Sequence, residues 1–417
     1  MNQAGARELP EKLTRLEVSI NGAVKAELLR NGPYSLVYGP STKPQEAASL
    51  ILPVDQPLYQ SGDLFPSMDM NLPEGYLFQR ILELHRKFGL QKMHLLALAG
   101  DSGIGRVGYH MPGEAPRRTV TPVSREDILS TSDSEQMFED LLQAYLQNGT
   151  GISGVQPKVM VPSRATLPVP DLIIKVAGPD FPGLSANEFL CLNAARHAGI
   201  ATPAFDLSQD GKILVVDRFD ISENGERMGF EDIAALMGLV VHDALSNRKY
   251  EGSYQAVSEV IAEFSNNPTD DLREFFSQLA FSVMIRNGDA HLKNFGLRYQ
   301  SGDDVALAPM FDVVTTAIYT FERPGGIQDV DRTMALKLRR GRASRSRAYP
   351  TTEELMTFGR NVCRVTRPQD DLARIAEGMT KALADARADQ RIPAALVNQM
   401  QPIWEDGLRY ASEAARN

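Results

Sequence analysis

Directly after the apolar run LAFSVMI the chain reads RNGDAHLKN, from Arg286 to Asn294. An acid (Asp289), an imidazole (His291), an amine (Lys293) and an amide (Asn294) are crowded into a few positions at the end of a strongly apolar segment. Polar chemistry this dense belongs to a held site and not to a solvated loop. The chain must therefore build a rigid frame around it, and FDVV at Phe311–Val314 supplies a further acid, Asp312.

Asp289 and Asn294 stand five positions apart. That is the Asp/Asn spacing of the kinase catalytic loop, where the aspartate accepts a hydroxyl proton and the asparagine holds a magnesium ion. The intervening FGLRY, QSGDD and VALAPMF read as strand, turn and strand, so a hairpin returns Asp312 beside Asn294. One hard cation is then able to join Asp289, Asn294 and Asp312.

At 417 residues and 43% hydrophobic content, the chain is long and apolar enough for two or three domains with sizeable cores. A net charge of -9 and a pI near 5.3 argue against a broadly basic surface that would hold nucleic acid by itself. Two cysteines, Cys191 and Cys363, fit a reduced compartment and read as core fillers. The start MNQAGARELPEKL has no apolar signal core, and no run approaches the roughly 18 apolar residues of a membrane span. The chain reads as cytoplasmic, with no membrane partner.

LEVSINGAVKAELLRNGPYSLVY, Leu16–Tyr38, alternates around Asn21-Gly22 as a hairpin does, and SLILPV is expected to add a strand. GYLFQRILELHRKFGL and MHLLALAG carry helical periods, with Pro73 expected in a first turn. MPGEAPRRTVTPVSRED marks a boundary, and SEQMFEDLLQAYLQN is an amphipathic helix. GTGISGVQPKVMV then places Gly149, Gly151 and Gly154 as GxGxxG before a strand, the order of a kinase glycine-rich loop and not of a dinucleotide fold. Taken alone, a flexible turn is the better reading of that string.

DLIIKV carries Lys175 in a buried strand, which calls for a negative partner, and the helix SANEFLCLNAARHAG offers Glu188. KILVVDRFD is a further strand, and FEDIAALMGLVVHDAL, YQAVSEVIAEFSN and DDLREFFSQLAFSVMIRN read as helices. This order suits a smaller β-rich lobe on a larger α-rich one. KLRRGRASRSRAY gathers Lys337, Arg339, Arg340, Arg342, Arg345 and Arg347, which read first as a solvated loop and second as an anion or nucleic-acid contact. Thr351 with Glu354 is a capping box, and PQDDLARIAEGMTKALADA is another helix.

The ordered set SGVQPK, LIIK, NE, DRFD, NGDAHLKN and FDVV resembles the HipA family of serine/threonine kinases, toxins of bacterial toxin–antitoxin pairs. LPEG and the first hairpin are similar to that family's N-terminal domain. The resemblance implies an α+β, protein-kinase-like two-lobed fold with an additional small α+β N-terminal domain. The N-terminal domain would span residues 1–110 and the linker 111–130. The kinase domain would span 131–417, with its N-lobe at about 131–225 and its C-lobe at about 226–417. It further implies ATP and Mg2+ as cofactors, a HipB-type helix-turn-helix antitoxin as partner, DNA contact only through that antitoxin, and an aminoacyl-tRNA synthetase as the protein substrate.

By the same resemblance Asp289 is the catalytic aspartate, with His291 and Lys293 in the active-site string and His291 acting as scaffold. Asn294 and Asp312 are the metal ligands. Gly151, Ser153, Gly154, Gln156, Lys158, Lys175, Glu188, Asp217 and Phe219 form the ATP-binding set. Family members often carry a serine where Gly151 stands, and Ser153 is then the candidate for autophosphorylation. A nucleotide-binding scaffold acting in transcriptional repression and a small-molecule kinase are the alternative readings.

Overall fold

The computed structural model describes residues 9–84, 89–114, 122–148, 156–164, 170–178, 180–222, 224–242, 247–323, 327–330, 332–341 and 346–416. They divide between two compact units. The first comprises Met1–Val176, Val215–Arg248 and Arg298–Val305, and the second comprises Ala177–Leu214, Lys249–Leu297 and Ala306–Asn417.

In the first unit, β1 (Arg15–Ile20), β2 (Ala23–Arg30), β3 (Tyr34–Tyr38), β4 (Leu58–Ser61) and β5 (Val107–His110) form an antiparallel sheet of order β4-β3-β2-β1-β5. Asn21 and Gly22 both adopt positive φ, the requirement of a tight hairpin turn whose twist matches its strands. Leu16 and Val18 of β1, Ala26 and Leu28 of β2, and Leu36 of β3 point to one buried face, as period-2 alternation demands. The short α1 (Pro66–Asp69), α2 (Gly75–Leu84) and α3 (Lys92–Ala99) complete this part. Pro73 lies two residues before α2 and not inside its first turn. SLILPV is not a strand: Ser49 and Leu52 form only an isolated bridge, because the Ser49 hydroxyl and the Leu50 N–H are both spent on the Glu231 carboxylate.

The boundary segment contains α4 (Arg125–Ser130), capped by Ser124, and α5 (Ser134–Asn148) follows as expected. β6 (Lys158–Val161) and β7 (Leu172–Val176) then pair antiparallel.

In the second unit, α6 (Leu184–His197) leads to β8 (Phe205–Leu207) and into β9 (Ile213–Asp217), which carries the chain back to the first unit. There, among the described residues, the expected helix FEDIAALMGLVVHDAL is reduced to one turn. It splits into β10 (Gly229–Asp232) and the four-residue α7 (Ile233–Leu236), whose N-terminus Asp232 caps. Long-range bonds to Glu231 hold the strand, and Gly238 at φ 75 turns the chain after α7.

The rest of the second unit is helical around a hairpin. α8 (Tyr254–Phe264) and α9 (Pro268–Met284) precede β11 (Gly296–Tyr299), β12 (Ala306–Leu307) and the hairpin β13 (Thr320–Arg323)/β14 (Ile327–Val330). α10 (Thr352–Asn361), α11 (Pro368–Ala388) and α12 (Ala394–Ala414) follow, and Thr351 and Glu354 make the expected capping box of α10. The sequence reading did not foresee α12.

α9 is the core element of this unit, with Phe275, Phe276 and Phe281 fully buried and α8, α10, α11 and α12 packed around it. α6 lies against α11 so closely that a side chain at Gly378 would meet the Ala194 carbonyl oxygen and the Ala198 nitrogen at 2.6 Å. Cys191 and Cys363 are buried as expected, and burial pushes each thiol up to about 12.

Candidate active site

α9 runs apolar to its end, and Arg286 then takes a left-handed φ of 58 that breaks the helix and starts the polar loop. Inside the loop, Asn287 Oδ1 accepts from Asp289 N at 3.1 Å and Asp289 O accepts from His291 N at 2.7 Å. A 3-10 turn spans Leu292–Asn294. Asn294 Nδ2 donates to Asp289 O at 2.9 Å and reaches Asp312 O at 3.5 Å, the edge of hydrogen-bond range. The expected hairpin thus returns Asp312 to Asn294, with Ala308 N donating to Gly296 O at 2.9 Å behind it.

Asp312 is itself left-handed, at φ 50. A non-glycine residue in that region costs about 1–3 kcal/mol and persists only where its surroundings over-determine it. Arg286 is over-determined in this way: its guanidinium bonds Asp406 Oδ2 at 2.6 Å and stacks on Tyr349 at 4.5 Å.

Two features of the side chains bear on chemistry. The amide nitrogen of Asn294 is turned to backbone carbonyls, while its Oδ1 accepts no hydrogen bond among the described residues. Oδ1 therefore remains as an oxygen donor beside Asp312. Asp289 Oδ1 accepts from the Tyr250 hydroxyl at 2.7 Å, and its Oδ2 accepts no hydrogen bond among the described residues. His291 is buried, edge-on to Tyr250 with 5.3 Å between ring centroids, and Lys293 is half-buried.

The donor set suits magnesium. That ion takes oxygen ligands, keeps several waters, and is bound through one or two carboxylates plus phosphate oxygens and not by an all-protein cage. Among the described residues no group of three or more His, Cys, Asp and Glu is arranged to hold a metal.

Sequence reasoning missed the residues that hold this arrangement. Asn187, fully buried in α6, pairs with the Thr315 backbone both ways: Nδ2 donates to the carbonyl at 3.0 Å and Oδ1 accepts from the N–H at 3.0 Å. Trp404 of α12 donates to Thr315 Oγ1 at 2.8 Å. The Thr316 hydroxyl joins the Arg286 carbonyl and the Gly288 N–H. The available signal was the NE pair in α6, in which Glu188 reads as the partner of Lys175 and Asn187 has no assigned role.

Gly151, Ser153 and Gly154 lie outside the described residues, as do Arg342 and Arg345. Glu188 is buried in the second unit, whereas Gln156, Lys158, Lys175, Asp217 and Phe219 belong to the first. Lys158 and Lys175 are directly opposite in the β6/β7 register and both buried, so like charges face each other across the strands. Gln156 Nε2 donates to Val176 O at 3.2 Å.

Asp217 is ion-paired with Arg125, and Phe219 lies edge-on to Phe230. Between them Arg218 is fully buried and bonds Asp220 at 2.6 Å, Gly103 O at 2.9 Å and Pro170 O at 3.1 Å, which makes DRFD a structural tie within the unit. The basic side chains Lys337, Arg340 and Arg347 are exposed, as the solvated reading expects, and single contacts tie the segment to its surroundings. Arg340 pairs with Glu259 at 2.8 Å, Lys337 O accepts from Tyr254 N at 2.9 Å, and Arg347 Nη2 donates to Tyr250 O at 2.7 Å.

The sequence matches two family models. Residues 16–110 match the HipA N-terminal domain and residues 150–387 the HipA-like C-terminal domain. The chain belongs to the HipA family.

Among curated relatives it is 30% identical to "Putative kinase Y4dM" of Sinorhizobium fredii over 51% of this chain and 54% of that protein. It is 24% identical to a "Putative kinase" of Haemophilus influenzae over 54% of this chain and 65% of that one. The chain thus spans between about half and two thirds of these relatives' lengths.

Among solved structures it resembles the Shewanella oneidensis MR-1 HipA, HipB and operator DNA complex, with a TM-score of 0.69, 19% identity, and 95% of this chain and 97% of that one covered. The fold is therefore the α+β HipA fold, a kinase-like domain with an additional N-terminal domain. No described helix is long and apolar enough to cross a membrane.

Proposed function

We propose that the protein is an ATP- and Mg2+-dependent serine/threonine protein kinase acting in the cytoplasm as the toxin of a type II toxin–antitoxin system. Its partner is a HipB-type antitoxin docking on residues 1–110, and through it DNA. Its substrate is a protein, with an aminoacyl-tRNA synthetase as the first candidate, and Ser153 is its own phosphorylation site. Residues 131–417 form the kinase domain. The single observation supporting the reading is that Asn294 Nδ2 reaches the backbone carbonyls of both Asp289 and Asp312, which brings the three residues together.

Magnesium bound there would neutralise the phosphate oxygens of ATP. The chain's own residues do the rest. Asn294 and Asp312 present the oxygen donors. Asp289 Oδ2, turned away from Tyr250, is the oxygen available to an incoming hydroxyl and takes its proton late. Phosphoryl transfer needs positioning and charge more than covalent help, which fits a loop pinned by so many backbone bonds.

The test is ATP turnover with magnesium against a panel of proteins and small hydroxyl compounds, beside Asp289→Asn. Phosphorylated protein from the wild type alone supports the proposal. Labelled small hydroxyl compounds without labelled protein would replace it with a small-molecule kinase, and no turnover with intact nucleotide binding would replace it with a scaffold.

A further inference from the structure

Tyr250 is half-buried in a 3-10 turn, Arg248–Tyr250, far from Asp289 in sequence, yet its hydroxyl meets Asp289 Oδ1 at 2.7 Å. Three neighbours fix that tyrosine. Arg347 of the basic segment donates to its carbonyl at 2.7 Å, the His291 ring stands edge-on to its ring at 77°, and the Lys249 ammonium lies 5.2 Å from its centroid. The Asp289 backbone is separately held through Asn287 and Asn294, so the side-chain rotation of the carboxylate is the one freedom left to fix. Among the described residues the Tyr250 hydroxyl is the one group that bonds either carboxylate oxygen.

We infer that Tyr250 is a positioning residue for Asp289, and that Arg347 sets Tyr250 in place. The phenol O–H anchors Oδ1 and thereby aims Oδ2 at the substrate hydroxyl. Arg347, an exposed member of the charge run, couples the basic segment to the carboxylate through the Tyr250 carbonyl. The inference rests on the kinase reading of Asp289. An anchored carboxylate presents its second oxygen in one direction, whereas an unanchored one samples rotamers, and misplacement of a reacting group by about 1 Å costs on the order of 100-fold in rate.

The test compares Tyr250→Phe, Tyr250→Leu, Arg347→Gln and Asp289→Asn in steady-state ATP turnover by the full chain with magnesium, with thermal unfolding measured on each. Tyr250→Phe keeps the ring against His291 and removes only the hydroxyl. It is expected to lower kcat about 10-fold to 100-fold while KM for ATP and Tm stay near wild type. Arg347→Gln is expected to lower kcat in the same direction, less steeply, without altering the tyrosine itself.

A purely structural tyrosine would give the opposite pattern, with Tyr250→Phe indistinguishable from wild type and Tyr250→Leu impaired through Tm. That result overturns the inference, as does a faster Tyr250→Phe, which would make the phenol a block. Wild-type rate in Asp289→Asn, or no turnover in the wild type, removes the kinase reading itself and is distinguishable from both.

Discussion

Thr316 clasps Arg286: its hydroxyl donates to the Arg286 carbonyl at 3.1 Å while accepting the Gly288 N–H at 2.7 Å. Thr316 stands four residues after Asp312 and Arg286 three before Asp289, so this contact ties the two acid-bearing segments together at the left-handed residue that opens the loop. Thr316→Val keeps the shape and removes both bonds, leaving the buried Gly288 N–H without its partner. We expect a stability loss of about 1–3 kcal/mol in urea unfolding. In turnover, kcat should fall more than KM for ATP.

Asn187 provides the second tie, from α6 to Thr315. In Asn187→Leu the Thr315 N–H and C=O both lose their bonds in a fully buried setting. The cost should reach about 2–4 kcal/mol, more than the Thr316 change, because neither group has water as an alternative. Trp404 is the protein's one tryptophan and bonds the same threonine, so its fluorescence follows the loss directly during unfolding.

Glu231 predicts a pH dependence in the first unit. Its carboxylate is fully buried and accepts from Ser49 Oγ, Leu50 N and Tyr299 Oη, yet burial outweighs these bonds and raises its pKa above the ordinary 4.5. A raised folded-state value favours the protonated form. Its contribution to stability is therefore complete below pH 4.5 and is lost as pH rises through the folded value. Glu231→Gln does not titrate, so the stability of wild type relative to the variant should decline as pH rises through that window. Urea unfolding at pH 4, 6 and 8 checks it, and a constant difference would show that burial does not shift this group.

What was readable in advance was local. The Asp289–Asn294 spacing, the Asn21-Gly22 turn and the Thr351/Glu354 capping box each depend on residues close in sequence, and each formed as expected. The misreadings were at positions decided by distant partners. FEDIAALMGLVVHDAL has a helical composition, but Glu231 is drawn into bonds with Ser49 and Tyr299, and a strand forms instead. SLILPV looks like a strand until the same glutamate takes the Ser49 hydroxyl and the Leu50 N–H. Tyr250 and Trp404 carry no motif, the NE pair does not mark Asn187 as a structural tie, and only the fold reveals that Asn187 and Trp404 hold Thr315 and that Tyr250 holds Asp289. Arg347 was hidden for another reason: it is exposed like its neighbours in the run, and nothing in the string marks which arginine bonds the Tyr250 carbonyl.

The most direct measurement is mass spectrometry of the purified protein and of Asp289→Asn after incubation with ATP and magnesium. Phosphate is expected on Ser153 in the wild type and none in the variant, with ATP binding retained by both. Equal phosphorylation of wild type and Asp289→Asn would contradict this, because the aspartate would then have no part in the transfer.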